Sequence, residues 1–282
     1  HAEDALAGLG FASQVVFLLM VAMLGLTVGS VAIVARAWGS QQRDRIEHVL
    51  RQSTMLTVVL GVLVAIVGNA VARTILRTLG AEGQALEQGL DYLRPLLTGT
   101  IFYYLNLLFA GVLRGVGNTR LAFRIAFLSN VLNFVFNYGL ILGHYGLPAL
   151  GVQGAALGTV FSYAIGTATY ILALRSDAVP GLWLSLRPQA FDRPLVRELA
   201  RIGWPAALDL VILNAAFLSI VGMLGRVSPA AVAAHGVGLR IQALAFVPGM
   251  SISQATAAMV GQSLGAGSVA AIILEPLVQG AA

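Results

Sequence analysis

Four ionisable side chains lie inside the long apolar stretches of this sequence, and one of them is acidic. Asp209 follows Pro205 by four residues in RIGWPAALDLVILN, while Arg124, His235 and Arg240 are the basic ones. A charge inside a bilayer is costly and usually marks an ion or substrate pathway. If these stretches cross a membrane, Asp209 could bind a proton or cation, or balance a cationic ligand. The alternative is a structural hydrogen bond to a neighbouring helix or to Arg240.

A second group of polar residues is a ladder of asparagines in SNVLNFVFNYGLI, namely Asn130, Asn133 and Asn137. Spacings of three and four place them on one face of a helix, which we expect to point inward. They could form a polar wall that binds a substrate or hydrated cation. They could equally join helices through hydrogen bonds worth about 0.6 to 2 kcal/mol each. Tyr103 and Asn106 could add contacts from the preceding apolar stretch, although aromatic residues there are more often packing residues.

The residues that known catalytic sites need are missing from the sequence. It has no cysteine, no HExxH, no GxSxG, no grouped acids in an apolar stretch and no Walker motif. These absences argue against a zinc protease, a serine hydrolase, a magnesium-dependent transferase and ATP-driven transport by this chain. We therefore expect no enzymatic activity, no metal site and no cofactor.

Seven apolar stretches must position these residues. A helix rises about 1.5 Å per residue and a bilayer core is about 30 Å thick, so about 20 apolar residues span it. The chain is 58% hydrophobic and 10% charged, against about 25% charged residues in soluble domains. This composition predicts an all-α integral membrane protein, a polytopic helix bundle. The expected spans are 11–35, 53–72, 94–113, 122–143, 149–174, 202–225 and 230–264.

The distribution of arginine predicts the orientation of the bundle. All 17 basic residues are Arg, and the segments 36–51, 114–124 and 175–201 carry four, three and five of them. The loops on the opposite side carry four in total, so the positive-inside rule makes the first three segments cytoplasmic. Membrane topology thus explains the positive net charge, and no nucleic-acid binding needs to be invoked.

The first residues of the chain are predicted to lie outside, which suggests that an odd number of helices is missing upstream, and we expect the chain to be a fragment. In the longest segment, 194–201 predicts a short interfacial helix.

Residues 5–40 align without a gap on 231–266, with eight identities in 36 positions, which predicts an internal repeat. Parallel repeats related by an axis along the membrane normal are a transporter architecture. Three glycine pairs with a spacing of four also predict close helix packing: Gly25 and Gly29, Gly154 and Gly158, Gly261 and Gly265.

Three segments resemble the MATE family of multidrug and toxin extrusion transporters. Arg114–Thr159 is similar to the fourth to sixth helices of that family, RIGWPAALD at Arg201–Asp209 to the start of the seventh, and Ala233–Gly267 to the eighth. The resemblance covers helices two to eight of twelve and implies a two-lobe architecture with an incomplete second lobe. The implied division is 1–180 for the N-terminal lobe, 181–200 for a cytoplasmic linker and 201–282 for the start of the C-terminal lobe.

The resemblance also implies a function and a set of site residues. Family members export organic cations, drugs or metabolites by Na⁺ or H⁺ antiport with alternating access, as multi-pass proteins of the inner membrane. Asp209 matches an acid that follows the proline of helix seven in many members. The NxxxD pattern of the fifth helix in the family aligns with Asn133 and Asn137, so an amide stands where the family often has Asp, which puts proton coupling at this position in doubt.

From these observations we expect substrate or cation binding by Asp209, Asn130, Asn133, Asn137, Asn106 and Tyr103. The expected partners are a cationic small molecule and the lipid bilayer, with no nucleic acid and a monomer when complete. The alternatives are a lipid-linked oligosaccharide flippase of the same superfamily, which needs a more cationic cavity, and a non-catalytic membrane subunit.

Overall fold

The computed structural model describes residues 2–176, 178–185 and 190–268, and within these ranges the chain is a bundle of eight α-helices. The helices are α1 (Ala2–Gly39), α2 (Arg43–Thr78), α3 (Gly83–Thr98), α4 (Thr100–Gly115), α5 (Thr119–Leu142), α6 (Gly151–Leu174), α7 (Arg193–Val227) and α8 (Pro229–Gly265).

Six of these helices are long and apolar enough to cross a membrane singly, and α3 with α4 meets the same criterion together as a bent pair. Counting that pair as one span gives the seven spans predicted from the sequence. The predicted span 94–113 covers only part of this pair, which begins at Gly83 and bends by 53° at Gly99. Pro95 lies one turn before the bend and cannot donate a helical hydrogen bond. The first half of α3 is polar, so the sequence did not indicate that the helical pair begins as early as Gly83.

The predicted interfacial helix 194–201 is also wrong as a separate element, since these residues are the first two turns of α7. Asp192 is the N-cap of α7, and its Oδ1 accepts a hydrogen bond from the Leu195 amide at 3.1 Å. Pro194 follows in the first turn, where its missing N–H costs nothing. The helix continues through Pro205 into the apolar stretch.

The first two glycine pairs lie at close helix crossings, as predicted. A Cβ on Gly25 of α1 would lie 3.0 Å from the carbonyl oxygen of Gly203 in α7, and one on Gly29 would lie 2.6 Å from that of Leu199. In α6, the backbone at Gly154 and Gly158 faces α5 equally closely. Small residues therefore let α1 reach α7 and let α6 reach α5.

The third pair lies in α8, where repeat-related residues of α1 and α8 make equivalent contacts with each other. Gly39 of α1 packs on the carbonyl group of Gln262, and Gly265 packs on that of Arg36. The repeat offset of 226 relates Gly39 to Gly265 and Arg36 to Gln262, so the contact is reciprocal. Gln262 Nε2 also donates to the Gly115 carbonyl at 2.7 Å. These contacts bring the ends of α1, α4 and α8 together, and we call this side of the bundle the arginine-rich end.

Burial differs strongly along the chain. The main core lies among α1, α2, α4 and α6 and contains fully buried aromatic residues such as Tyr104, Phe109 and Tyr170. A smaller core joins α1, α2 and α3 around Leu76, Leu90 and Leu93, and most described side chains of α7 and α8 beyond their crossings with α1 are exposed.

Candidate functional site

A cavity of about 220 Å³ lies among α1, α3, α4 and α6, where the helices surround the bend at Gly99. The main polar groups on its walls are three tyrosines and two threonines, and the described residues that line it include no charged side chain. The lining residues are Val16, Leu19, Tyr92, Leu96, Gly99, Thr100, Tyr103, Thr159, Val160 and Tyr163.

Tyr103 is the one predicted site residue that lines this cavity. Its ring lies 5.2 Å from that of Tyr163 on α6 and 6.0 Å from that of Tyr104. The neighbouring Tyr104 is fully buried, and its hydroxyl donates to the Leu19 carbonyl at 2.8 Å. Within the described part of the chain, the hydroxyls of Tyr103 and Tyr163 have no such partner. They are therefore free to bind a ligand.

Asn133 and Asn137 reach the edge of the cavity through Thr159. Asn133 Nδ2 donates to Thr159 Oγ1 at 3.1 Å, and Asn137 Nδ2 donates to Asn133 Oδ1 at 3.1 Å. The Asn137 Oδ1 is buried against Gly158 without a hydrogen-bond partner. These contacts match the structural interpretation, in which amides join α5 to α6, and they place Thr159 rather than either asparagine on the cavity wall.

Asn130 lies apart from the other two asparagines. Its side chain is exposed, and its Nδ2 donates to the Ala126 carbonyl of its own helix at 2.8 Å. Seven residues make about two turns, so Asn130 lies on nearly the same side of α5 as Asn137. At the level of Asn130, however, that side of α5 is exposed in the part of the chain that the structure describes.

Asn106 is buried beneath the cavity and braces α4 against α6. Its Nδ2 approaches the Tyr163 carbonyl and Thr167 Oγ1, each at 2.7 Å, and the Phe102 carbonyl at 2.9 Å. The buried Ser129 hydroxyl of α5 lacks a hydrogen-bond partner nearby. Asn106 fixes the backbone that carries Tyr163, so it positions the wall without lining the cavity.

Asp209 lies outside the cavity, on α7. Its side chain is exposed, and within the described residues it forms no ion pair or hydrogen bond. The α7 face that contacts α1 contains Gly203 and Ala207, and Asp209 lies on another side of the helix. Its suggested pairing with Arg240 concerns a side chain outside the described ones.

Two features of the site were missed by sequence reasoning. Thr159 and Tyr163 contribute from α6, where their spacing of four places them on one face, a signal that the sequence does contain. A cleft of about 400 Å³ also adjoins the cavity across Gly99 and Val160, and it is lined by Asp91 and Arg94. Those charges lie in a stretch interpreted as a loop.

The fold and cavity define a polytopic α-helical membrane protein with a tyrosine-lined chamber among α1, α3, α4 and α6, whose described lining carries no charge. The family model described as MatE matches residues 2–139 and 205–273, which is more than half of the sequence. The chain therefore belongs to the MatE family.

Relatives and solved structures agree with this assignment. The chain is 28% identical over 276 residues to the probable multidrug resistance protein NorM of Thermotoga maritima, covering 95% of this chain and 57% of that protein. It is 28% identical to the FAD transporter of Shewanella oneidensis, covering 94% and 58%. A structure of an outward-facing multidrug resistance MATE transporter of the MOP superfamily matches with a TM-score of 0.85 and 26% identity, covering 95% and 59%. The chain thus spans little more than half the length of these relatives.

Proposed function

We propose that the protein is a secondary active transporter that exports organic cations, drugs or metabolites in exchange for Na⁺ or H⁺. The observation that carries this proposal is the chamber lined by Tyr92, Tyr103 and Tyr163, whose hydroxyls form no hydrogen bond with the described residues. Aromatic faces attract organic cations, and the hydroxyls can hydrogen-bond a polar ligand. The names of the relatives, a multidrug resistance protein and an FAD transporter, support a small-molecule substrate.

In this proposal the two lobes exchange access to the chamber by moving about the crossing of α1 and α8. The structure has this crossing closed at the arginine-rich end, through Gly39, Gly265 and the Gln262–Gly115 hydrogen bond. Binding of the coupling ion favours one arrangement of the lobes, and exchange with substrate reverses it. The division into lobes at 181–200 and the placement of the arginine-rich end in the cytoplasm belong to the proposal.

Asp209 is the proposed coupling acid, since it lies in the apolar part of α7 and, unlike Glu198 of the same helix, has no partner among the described residues. The remaining predicted residues Asn106, Asn130, Asn133 and Asn137 are proposed to shape or extend the binding surface. We further propose an inner-membrane location, a monomer when complete, and no cofactor besides the coupling ion. A lipid-linked oligosaccharide flippase is less favoured because the described lining of the chamber contains no arginine.

The test is ethidium accumulation in a pump-deficient bacterium that expresses the full-length gene, with and without a Na⁺ or pH gradient. We expect gradient-dependent lowering of ethidium, which would also identify the ion. Unchanged ethidium in cells with confirmed membrane expression would contradict multidrug antiport. Transport of flavin nucleotides and lipid-linked oligosaccharides would then be measured in proteoliposomes.

A further inference from the structure

An apolar groove of about 430 Å³ lies where α7 crosses α1 and α2. Leu56, Leu60 and Leu63 of α2 form one wall, Leu199 and Trp204 of α7 form the other, and Gly25 of α1 lies between them. None of the described residues that line it is charged. Its volume is within the roughly 300–1,000 Å³ of sites that hold small ligands.

Helix contacts place this groove near the arginine-rich end. Ser30 of α1 donates to the Ser53 hydroxyl of α2 at 2.7 Å, so the groove residues of α2 begin just beyond the charged first turns of that helix. On α7 the groove extends from Val196 to Ala207, a helical rise of about 16 Å. This length is about half of the roughly 30 Å hydrocarbon core. The groove is therefore about one leaflet deep.

A stripe of arginines lies beside the groove on α7. Arg193, Arg197 and Arg201 repeat every four residues, and all three are exposed. None of them forms an ion pair within the described part of the chain. A spacing of four keeps them on one side of the helix. The stripe thus offers three positive charges without an ion-pair partner among the described residues, and it runs beside the half of the groove nearer the start of α7.

The nearby acids do not neutralise this stripe, because each already has a partner. Glu198 pairs with Arg45 of α2 at 3.3 Å, and Asp192 pairs with His48 at 2.7 Å. Trp204 is 68% exposed and lies one turn further along α7. A tryptophan at this depth is typical of the interface between headgroups and hydrocarbon.

We propose that this groove binds an anionic phospholipid of the cytoplasmic leaflet. One acyl chain fills the groove, and the phosphate binds Arg197 and Arg201. Guanidinium groups bind phosphate through paired hydrogen bonds, and basic clusters beside a span attract anionic lipids. A soluble anion would leave the apolar groove unexplained, whereas a lipid matches its depth and its charge together. The lipid would contact α2, which precedes the predicted linker 181–200, and α7, whose first turns lie within it.

The experiment counts retained lipids by native mass spectrometry. The full-length protein is reconstituted with equal amounts of phosphatidylglycerol and phosphatidylcholine, extracted in mild detergent and sprayed. We expect preferential retention of phosphatidylglycerol, lowered about fivefold or more by the double variant Arg197→Gln and Arg201→Gln. Ala200→Trp, which fills the groove, should lower it similarly. Arg77→Gln is the matched control, because Arg77 is exposed and lies at the opposite end of α2.

Three results would overturn the proposal. One is a double arginine variant that retains as much phosphatidylglycerol as the unmodified protein. Another is an equal loss in Arg77→Gln, which would indicate a general charge effect. The third is equal retention of phosphatidylcholine in the unmodified protein. Monodisperse elution is required of every variant, and if Ala200→Trp fails to fold, the arginine variant decides alone.

Discussion

Helices α1 and α8 are related by the internal repeat, yet they lie in very different surroundings. They have nearly the same length, 38 and 37 residues, and both end at the arginine-rich end. In the apolar part of α1, 44% of the residues are buried, compared with 6% in α8. Similar sequence patterns thus produce similar helices, while burial depends on the neighbouring helices. The α1 side of the bundle carries the chamber, and the α7–α8 side carries Asp209 in the apolar part of α7.

The repeat-related glycines show which part of the pattern is structural. Gly39 and its counterpart Gly265 each face a carbonyl group of the other helix. Gly10 and its counterpart Gly236 have nothing within 4 Å of an added Cβ. At the crossing, repeat-related glycines of α1 and α8 are therefore packed equally tightly. Away from the crossing, both helices have room for a side chain at the repeat-related glycine positions.

The largest expected effect is at that crossing. Gly265→Ala would force its Cβ onto the Arg36 carbonyl, and overpacking of this kind costs about 1–3 kcal/mol. Gly236→Ala is the matched control, and it should be neutral or stabilise by up to about 1 kcal/mol through helix propensity. Thermal stability measured by size-exclusion chromatography checks both. Equal stability of the two variants would contradict the reciprocal contact.

The sequence predicted the architecture more fully than the site. Uninterrupted apolar stretches predicted seven spans, because the thickness and polarity of the bilayer alone set the length and hydropathy that a spanning helix needs. The bend at Gly99 was missed because the polar residues of α3, such as Asp91 and Arg94, resemble a loop. Of the residues that line the chamber, the sequence suggested Tyr103 but neither Tyr163 nor Thr159, because which helices surround a cavity depends on tertiary packing.

Coupling by Asp209 is the next largest effect, and it tests whether the exposed α7–α8 side contributes to transport. Asp209→Asn keeps the size of the side chain but cannot titrate. If the acid couples ion to substrate, gradient-driven ethidium efflux should fall about tenfold, within the range of a coupling free energy of about 1–3 kcal/mol. Adding Asn214→Asp to the Asp209→Asn variant tests whether an acid further along α7 restores efflux. Normal efflux by Asp209→Asn at normal expression would remove the coupling role.

A smaller effect is expected in the chamber, from loss of the Tyr103 ring. Tyr103→Ala removes a cation–π contact of about 0.5–2 kcal/mol, so the apparent KM for ethidium should rise about three- to tenfold. Tyr103→Phe keeps the ring and should keep most of the affinity for ethidium. Tyr138→Ala on the outer face of α5 is the control. If Tyr103→Ala and Tyr138→Ala behave alike, the chamber does not hold the substrate.

The smallest expected effect is at the start of α7, which the repeat does not relate to any described helix. The Leu195 amide and the His48 side chain, through hydrogen bonds, lower the pKa of Asp192 below its usual value of about 3.8. A lowered pKa means that the folded protein binds this proton less tightly than the unfolded chain does. The resulting stabilisation is therefore complete above about pH 4–5 and is lost as the pH falls through the lowered pKa.

Two substitutions separate the charge of Asp192 from its capping role. Asp192→Asn can still accept the hydrogen bond from the Leu195 amide but cannot carry the charge, whereas Asp192→Ala loses both. Thermal stability as a function of pH should show the unmodified protein exceeding Asp192→Asn at pH 7, with the difference shrinking below about pH 4. The gap between the Asn and Ala variants should stay constant with pH, since it reports the uncharged cap. If the difference in thermal stability between the unmodified protein and Asp192→Asn did not change with pH, the whole contribution of Asp192 would be capping. The hydrogen bond between His48 and Asp192 would then stabilise the start of α7 without a contribution from charge.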